Sequence, residues 1–373
     1  MSQWIKTKLG EIVILNYGKA LKAQDRNAGS IPVYSSGGLT GWHNKALINE
    51  QGIIIGRKGN VGKAYLTYGP FWCIDTAYYI LPNPSKYDFV FLFYLLKTLG
   101  LEELNEDSAV PGLNRDTAYS QEILLPSLPE QKAIASVLSS LDDKIDLLHR
   151  QNKTLESMAE TLFRQWFILD STGVSVSIDQ IIDFNPKRTL IKSQDATYLD
   201  MAGLSTVIFR ANGYYRRPFS SGTKFTKRDT LLARITPCLE NGKAAYIDFL
   251  DDNETGWGST EFIVMRPKKE IHPFISYIMC RNPDFKEYAE SCMEGSTGRQ
   301  RVNLDHLKKF NVNLPTEASL RIINELLDSF ESKLINNSKQ IDSLEKLRDT
   351  LLPKLMSGEV RVQYAEEAIA SVA

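Results

Sequence analysis

Residues 130–167 read EQKAIASVLSSLDDKIDLLHRQNKTLESMAETLFRQWF. Apolar side chains recur at Ile134, Leu138, Leu141, Ile145, Leu148, Leu155, Leu162 and Trp166. The steps of four and three give a heptad stripe, the pattern of a helix that packs on another helix. No proline or glycine interrupts it. At about 1.5 Å per residue such a helix is roughly 55 Å long, more than one small domain needs for its core. Its expected partner lies in the same chain. A shift of 189 residues sets Pro126 on Pro315, Leu138 on Leu327, Gln151 on Gln340 and Glu156 on Glu345. The stripe repeats there as Ile323, Leu327, Phe330, Leu334, Ile341, Leu344, Leu351 and Leu355. Two copies at one long period are an internal duplication, and two matching stripes bury each other. Asn152 and Asn337 fall on the seams. They are either part of a partly solvated helix surface or a buried pair that fixes register at some cost in stability. Past Leu155 the seam is expected to drift to Met158, matched by Leu347.

Composition bounds the remainder. The 373 residues allow two or three domains. With 43% apolar and 24% charged residues the chain reads as a soluble globular protein. No apolar run reaches membrane-spanning length, and neither a signal peptide nor a membrane partner is expected. Cys73, Cys238, Cys280 and Cys292 lie far apart, without a C-x-x-C pair. This favours neither zinc nor a disulfide framework and fits a cytoplasmic location. Net charge is −1, whereas a chain that binds nucleic acid alone is usually basic.

Outward from the first helix, the chain alternates domain, helix, domain, helix. The expected boundaries are 1–126, 127–167, 168–314 and 315–362, with a disordered tail at 363–373. In the first domain Tyr34, Gly37 and Gly38 mark a loop of close backbone approach. The buried run Ile53–Ile55 feeds G-R-K-G-N-V-G-K at 56–63. That segment lacks the G-K-[ST] ending of a nucleotide-phosphate loop. Arg57, Lys58, Asn60 and Lys63, with no acid among them, suit a DNA phosphate or a guanine edge, the alternative being a solvated hairpin turn. An apolar helix at 87–99 and a loop at 108–115 ending in Asn114 and Arg115 complete the domain. The second domain echoes this. Leu231–Thr236 leads to Asn241-Gly242-Lys243 as Ile55-Gly56-Arg57 leads to Gly62-Lys63, and residues 257–262 resemble 74–78. One helix is expected over about 273–293, and the loop with Arg299, Gln300 and Arg301 replaces that at 108–115. Eight Arg or Lys lie between Ser205 and Tyr246, opposed locally only by Asp229 and Glu240 and interleaved with aromatics. That points to a nucleic-acid surface in which Arg234, Thr236, Asn241 and Lys243 take part.

Reaction centres are not found. D-F-N-P-K-R at 183–188 differs from the N-P-P-[YF] loop of amino-methyltransferases, because Lys187 and Arg188 replace its second proline and aromatic residue. It reads as a turn leading into the domain. No nucleophile elbow, metal motif or nuclease pattern accompanies it, so catalytic and metal-binding residues are expected to be none.

Several segments together resemble a known family: IIGRKGNVGKAY (54–65), WCIDTAYYI (72–80), SAVPGLNRD (108–116), LPEQKAIASVLSSLDDKI (128–145), LLARITPCLENGKA (231–244), GSTEFIV (258–264) and LLPKLMSGEVRV (351–362). They look like the specificity (S) subunit of type I restriction-modification systems. One departure is at 315–320, where the second helix lacks the P-x-x-E-Q start. The resemblance implies an α+β fold: two mixed α/β target recognition domains joined by two long helices packed as an antiparallel coiled coil, with pseudo-twofold order. It further implies a non-catalytic subunit that reads an asymmetric bipartite site on double-stranded DNA. The helices would set the spacer and dock two methyltransferase (M) subunits that bring S-adenosylmethionine, and restriction (R) subunits would bring ATP and Mg. The competing reading is a non-DNA scaffold of lectin-like or peptide-binding domains on a coiled coil.

Overall fold

The computed structural model describes residues 4–104, 112–170, 172–296 and 298–362. The tail expected at 363–373 and part of the loop at 108–115 lie outside the described residues. The chain divides into two compact units, Met1–Asp146 with Gln340–Ala373, and Leu147–Lys339.

The long helices run Leu128–Phe163 and Glu317–Ser357. Each unit takes opposite halves of the two, the division that antiparallel pairing produces. In the first unit Arg348 donates to Asp142 at 2.9 Å. In the second, Asn337 donates to Asn152 at 2.9 Å and Asn152 to Ser338 at 3.4 Å. The two seam asparagines therefore meet. Asn337 is 1% exposed, so the register-fixing alternative describes them.

The second stripe is buried nearly as expected, with Phe330 half-buried. The first follows it only to Leu148. Beyond that point the buried residues are Asn152, Glu156, Ala159, Phe163 and Phe167. Leu155, Leu162 and Trp166 are half-buried, and Met158 is 47% exposed, so the seam does not drift to Met158. The reason is geometric: Ile134, Ile145, Glu156 and Phe167 are spaced by eleven. An eleven-residue repeat, 3.67 residues per turn, matches the α-helix better than a heptad does. A π-helical turn at Arg164–Leu169 then ends the helix.

In the first unit, Asn16–Tyr17, Ala77–Ile80, Gly52–Gly56 and Ala64–Thr67 form a four-stranded sheet in that spatial order. The strands Gly38–His43, Ile31–Ser35 and Trp72–Cys73 form a second sheet. Ile53, Ile54 and Ile55 are fully buried, as a continuous β-branched run predicts. The helix Phe89–Thr98 covers the core and is capped by Asp88, whose Oδ1 accepts from Phe91 N at 2.9 Å. Gln131 ties the long helix to this domain: its Oε1 accepts from Asp88 N at 2.8 Å and its Nε2 donates to Pro126 O at 2.9 Å.

The second unit repeats the order. Ile182–Phe184, Phe262–Pro267, Thr230–Ala233 and Ala244–Tyr246 form one sheet. Tyr215–Pro218, Asp195–Leu199, Thr255–Gly258 and Thr223–Thr226 form the other. Strand 255–258 runs parallel to 195–199 as 72–73 runs parallel to 31–35. Trp257 thus matches Trp72, two residues from the match expected with Ile74. The single helix expected over 273–293 is two, Phe274–Arg281 and Pro283–Ser291. Asn282-Pro283 breaks it: Pro283 cannot donate inside a helix, and Asn282 Oδ1 accepts from Phe285 N at 3.1 Å to start a new one. Where the second long helix lacks the P-x-x-E-Q start, Thr316 Oγ1 accepts from Ser319 N at 3.3 Å and caps it.

Candidate nucleic-acid interface

The same backbone arrangement occurs once in each unit. In the first, strand 52–56 delivers Arg57, whose N–H donates to Thr76 O at 2.9 Å and whose carbonyl accepts from Leu113 N at 2.8 Å. In the second, Arg234 N donates to Glu261 O at 3.0 Å and Arg234 O accepts from Val302 N at 2.8 Å. The next residues, Lys58 and Ile235, bridge antiparallel to Gly112 and Arg301. Asn114 and Asn303 follow as helix caps, accepting from Asp116 N at 2.8 Å and Asp305 N at 3.0 Å. An arginine at the end of the central strand is thus clipped on both sides, with a capped helix beside it. The 189-residue shift noted in the sequence sets Gly112, Leu113 and Asn114 on Arg301, Val302 and Asn303, whereas Arg57 and Arg234 are 177 residues apart.

The side chains differ. The Arg57 guanidinium donates to Asp75 O at 2.6 and 3.1 Å and lies 5.3 Å from the Tyr17 ring centre. Arg115 lies 5.4 Å from the same ring, so two guanidiniums share one aromatic face-and-edge system. Lys58, Tyr78 and Asn114 line the cleft with them. Gly56 is required there, since a Cβ would stand 1.8 Å from Asn60 O. Asn60, exposed, lies against Gly37, and Gly38 has φ +91° beneath Tyr65. Tyr34 does something else: it packs edge-on to Phe71 in the core. Lys63 is exposed and lines a separate cleft with Glu102 and Glu103. Asn114, used as a cap, keeps only its amide N–H groups for a ligand.

In the second unit the cleft at Arg234 is lined by Asn185, Arg188, Lys224 and Thr260. Arg234 Nη2 donates to Val302 O at 3.2 Å, while its Nε is buried without a partner. Arg301 forks onto Glu261, with contacts of 2.7 to 3.0 Å. That hydrogen bond holds the Glu261 carboxyl below the usual glutamate range. Thr236 N donates to Gln300 O at 3.1 Å, and Lys243 Nζ to Met201 O at 3.0 Å. Asn241 and Arg299 are exposed. Asn185 sits at φ +48° with its Oδ1 accepting from Val264 N at 2.9 Å, so the D-F-N-P-K-R segment is a strand-ending turn.

The basic run is less basic in space than in sequence. Arg210 pairs with Asp248, Arg216 with Asp195 and Glu254, Lys227 with Asp252, and Arg228 with Glu331. All of these acids come from outside the stretch 205–246 over which the charge was counted. Arg217 lies over Tyr198 and Trp257 and Lys224 over Phe219. His272, Asp328 and Glu331 have the spacing of a metal-ligand group, but Arg228 Nη2 stands among them, 3.1 Å from His272 Nε2 and 2.5 Å from Glu331. The guanidinium supplies the positive charge there. Sequence reasoning missed Tyr17, Asn185 and Glu261. Lys224 carried a signal, as one cation of the run interleaved with aromatics, whereas Arg188 is read from sequence only as part of a turn.

Comparison with known proteins follows the same lines. The family described as "Type I restriction modification DNA specificity domain" matches residues 1–157 and 172–346. A type I restriction enzyme specificity subunit, MjaIX, of Methanocaldococcus jannaschii is 27% identical over 319 residues, 73% of this chain and 69% of the relative. The EcoEI specificity subunit of Escherichia coli is 26% identical over 204 residues, and only 34% of its length is covered. The crystal structure of a type I restriction-modification S subunit from M. genitalium aligns at TM-score 0.64 and 19% identity, covering 95% of this chain and 96% of that one. This likeness carries the fold. Among the described residues no helix is long and apolar enough to cross a membrane.

Proposed function

Because this chain belongs to the type I restriction-modification DNA specificity family, we propose that it is the non-catalytic subunit that reads DNA sequence for such a complex. Each sheet domain reads one half of a bipartite site. The carrying observation is the arginine clip, built twice by the same backbone bonds and furnished with different side chains. A repeated frame supports a reading group at the same point of each domain. Unlike furnishing makes the two half-sites unlike. In this reading Arg57 and Arg234 face base edges, where a guanidinium can fork onto guanine. Lys58, Arg115, Lys224 and Arg299 supply phosphate contacts.

The long helices set the unread spacer and dock two methyltransferase subunits, which bring S-adenosylmethionine and methylate adenine. Restriction subunits bring ATP and Mg. The antiparallel seam, buried yet flanked by mixed charge, supports this division of labour: a paired helix surface suits protein contacts better than DNA. The test is co-expression with the adenine methyltransferase partner, followed by methylation-sensitive sequencing. A single asymmetric motif with a fixed gap is expected. Methylation without a motif, or no duplex shift in gels when the partner is added, overturns the reading.

A further inference from the structure

Arg281 ends the helix Phe274–Arg281 and uses all five of its N–H groups. Its Nε donates to Tyr277 Oη at 2.9 Å. Its Nη1 donates to Gly242 O at 2.7 Å and Thr206 O at 3.0 Å, and its Nη2 to Ile208 O at 3.0 Å and Ser205 O at 3.2 Å. These carbonyls belong to two segments far apart in sequence, the loop 205–208 and the turn 237–243, and the loop is otherwise held to the strand after that turn by Ala244 N to Ser205 O at 3.1 Å and Tyr246 N to Phe209 O at 2.7 Å. Behind the guanidinium, Tyr277 Oη donates to Glu156 Oε2 at 2.9 Å, and Glu156 stands on the first long helix, 8% exposed. The turn carries Asn241 and Lys243, and Lys243 Nζ reaches back to Met201 O, on the chain just before the loop.

The first unit has no such fork among its described residues. The helix Phe89–Thr98 carries Lys97 near its end, with its ammonium over Phe93 and Tyr94. Both turns are closed by their own backbone, by Gly56 N to Lys63 O at 2.9 Å and by Ala233 N to Lys243 O at 3.0 Å, but the first is shorter.

We propose that Arg281 is a positioning residue for sequence reading by the second domain: it staples the loop 205–208 to the turn that presents Asn241 and Lys243, and holds both against the long helix through Tyr277 and Glu156. The inference rests on the DNA-reading role above. A lysine keeps the charge but has three donors on one nitrogen, which cannot span two segments in the planar geometry of the fork.

The experiment uses the full chain with its methyltransferase partner. Selection from randomised duplexes and methylation mapping are run for the native chain, Arg281→Lys and Tyr277→Phe. For Arg281→Lys, discrimination in the second half-site is expected to fall about tenfold at one or more positions, with the first half-site unchanged. The amides of Ala244 and Tyr246, which donate to Ser205 O and Phe209 O, should exchange faster with solvent. Tyr277→Phe removes the link to Glu156 and the acceptor of Arg281 Nε but leaves the carbonyl contacts of Nη1 and Nη2, and should shift the same positions less. Faster exchange with an unchanged second half-site overturns the proposal. So does equal loss at both half-sites with a lowered Tm, the mark of general destabilisation; if Arg281→Lys does not fold, the same criteria are applied to Tyr277→Phe. If the native chain selects no sequence, the DNA-reading role falls, and the staple falls with it for a separate reason.

Discussion

Glu156 faces Tyr277, Phe209 N–H and Arg281, with Glu160 on its own helix. Burial pushes its carboxyl up to about 7, against the lowering effect of the Tyr277 hydrogen bond and the Arg281 charge. The folded state therefore holds this proton more tightly than the unfolded chain, whose glutamate titrates near its ordinary value. Stability from this group is greatest at pH below the unfolded value and falls as pH rises toward 7. Glu156→Gln keeps an acceptor for Tyr277 and abolishes that slope. Urea unfolding should show the variant equal to the native chain near pH 4 and more stable at pH 8 by about 2–3 kcal/mol. Equal stability at both pH values would mean that the carboxylate is adequately solvated when folded. At the proposed reading surface, Arg234 and Arg301 are separable. Arg301 is already forked onto Glu261, whereas Arg234 has an Nε without a partner. Arg234→Ala should cost about 1–3 kcal/mol at one base position, measured by competition among single-base variants of the site. A uniform loss on all sequences would mark a phosphate contact.

At the scale of elements, the long helices were legible because a stripe of apolar residues is a local signal, and the duplication because 189 is a constant shift. Only the phase of the first stripe escaped. A heptad template fits 134–152, but Glu156 and Ala159 look unlike seam residues of that template, and what buries them is a partner far along the chain. The break at Asn282-Pro283 was visible as a proline and was overridden by apolar periodicity on both sides. The arginine clips were visible as repeated motifs, while Tyr17, Asn185 and Glu261 were not, since strand pairing brings them there. Two tests belong here. Asn337→Leu leaves Asn152 buried without its donor and should cost about 1–3 kcal/mol in urea unfolding. The pair Asn152→Leu with Asn337→Leu should recover that loss or exceed it, because an apolar pair replaces a polar one whose Asn337 Oδ1 is unsatisfied. A double variant less stable than either single one would show that the asparagines contribute more than register. The eleven-residue seam also dictates how to lengthen the helices. Eleven residues inserted after Asp146 and after Ser343 continue the eleven-residue seam of the first helix and return the buried face to within about 20°. The added rise is about 16 Å, or about five base pairs of extra spacer. Methylation mapping that returns the original spacer would overturn the spacer-setting role proposed for the helices.

For the whole molecule, charge decides how much of the binding this chain can carry. Net charge is −1, and the one segment with a local excess of cations spends four of its eight on carboxylates from Asp195, Asp248, Asp252, Glu254 and Glu331. Arg217 and Lys224, over aromatic rings, together with Lys58, Arg115 and Arg299, are the cations left for phosphate in the proposed surface. Each phosphate contact releases counterions and steepens the fall of affinity with salt by about one unit of slope on a log–log plot. Few contacts mean a shallow slope and weak binding, so the proposed base readout calls for phosphate contacts from the proposed partner subunits. Titration of a duplex containing the site, over a range of potassium chloride, should give a log–log slope of magnitude about 5 or less for the chain alone. The methyltransferase partner should raise both affinity and slope. Arg115→Ala should lower the slope by about one while leaving the preferred sequence unchanged. A steep slope for the isolated chain, as large as for the complex, would show that the ion pairs of the basic segment open on DNA and that neutrality in the free protein hides a surface competent to bind alone.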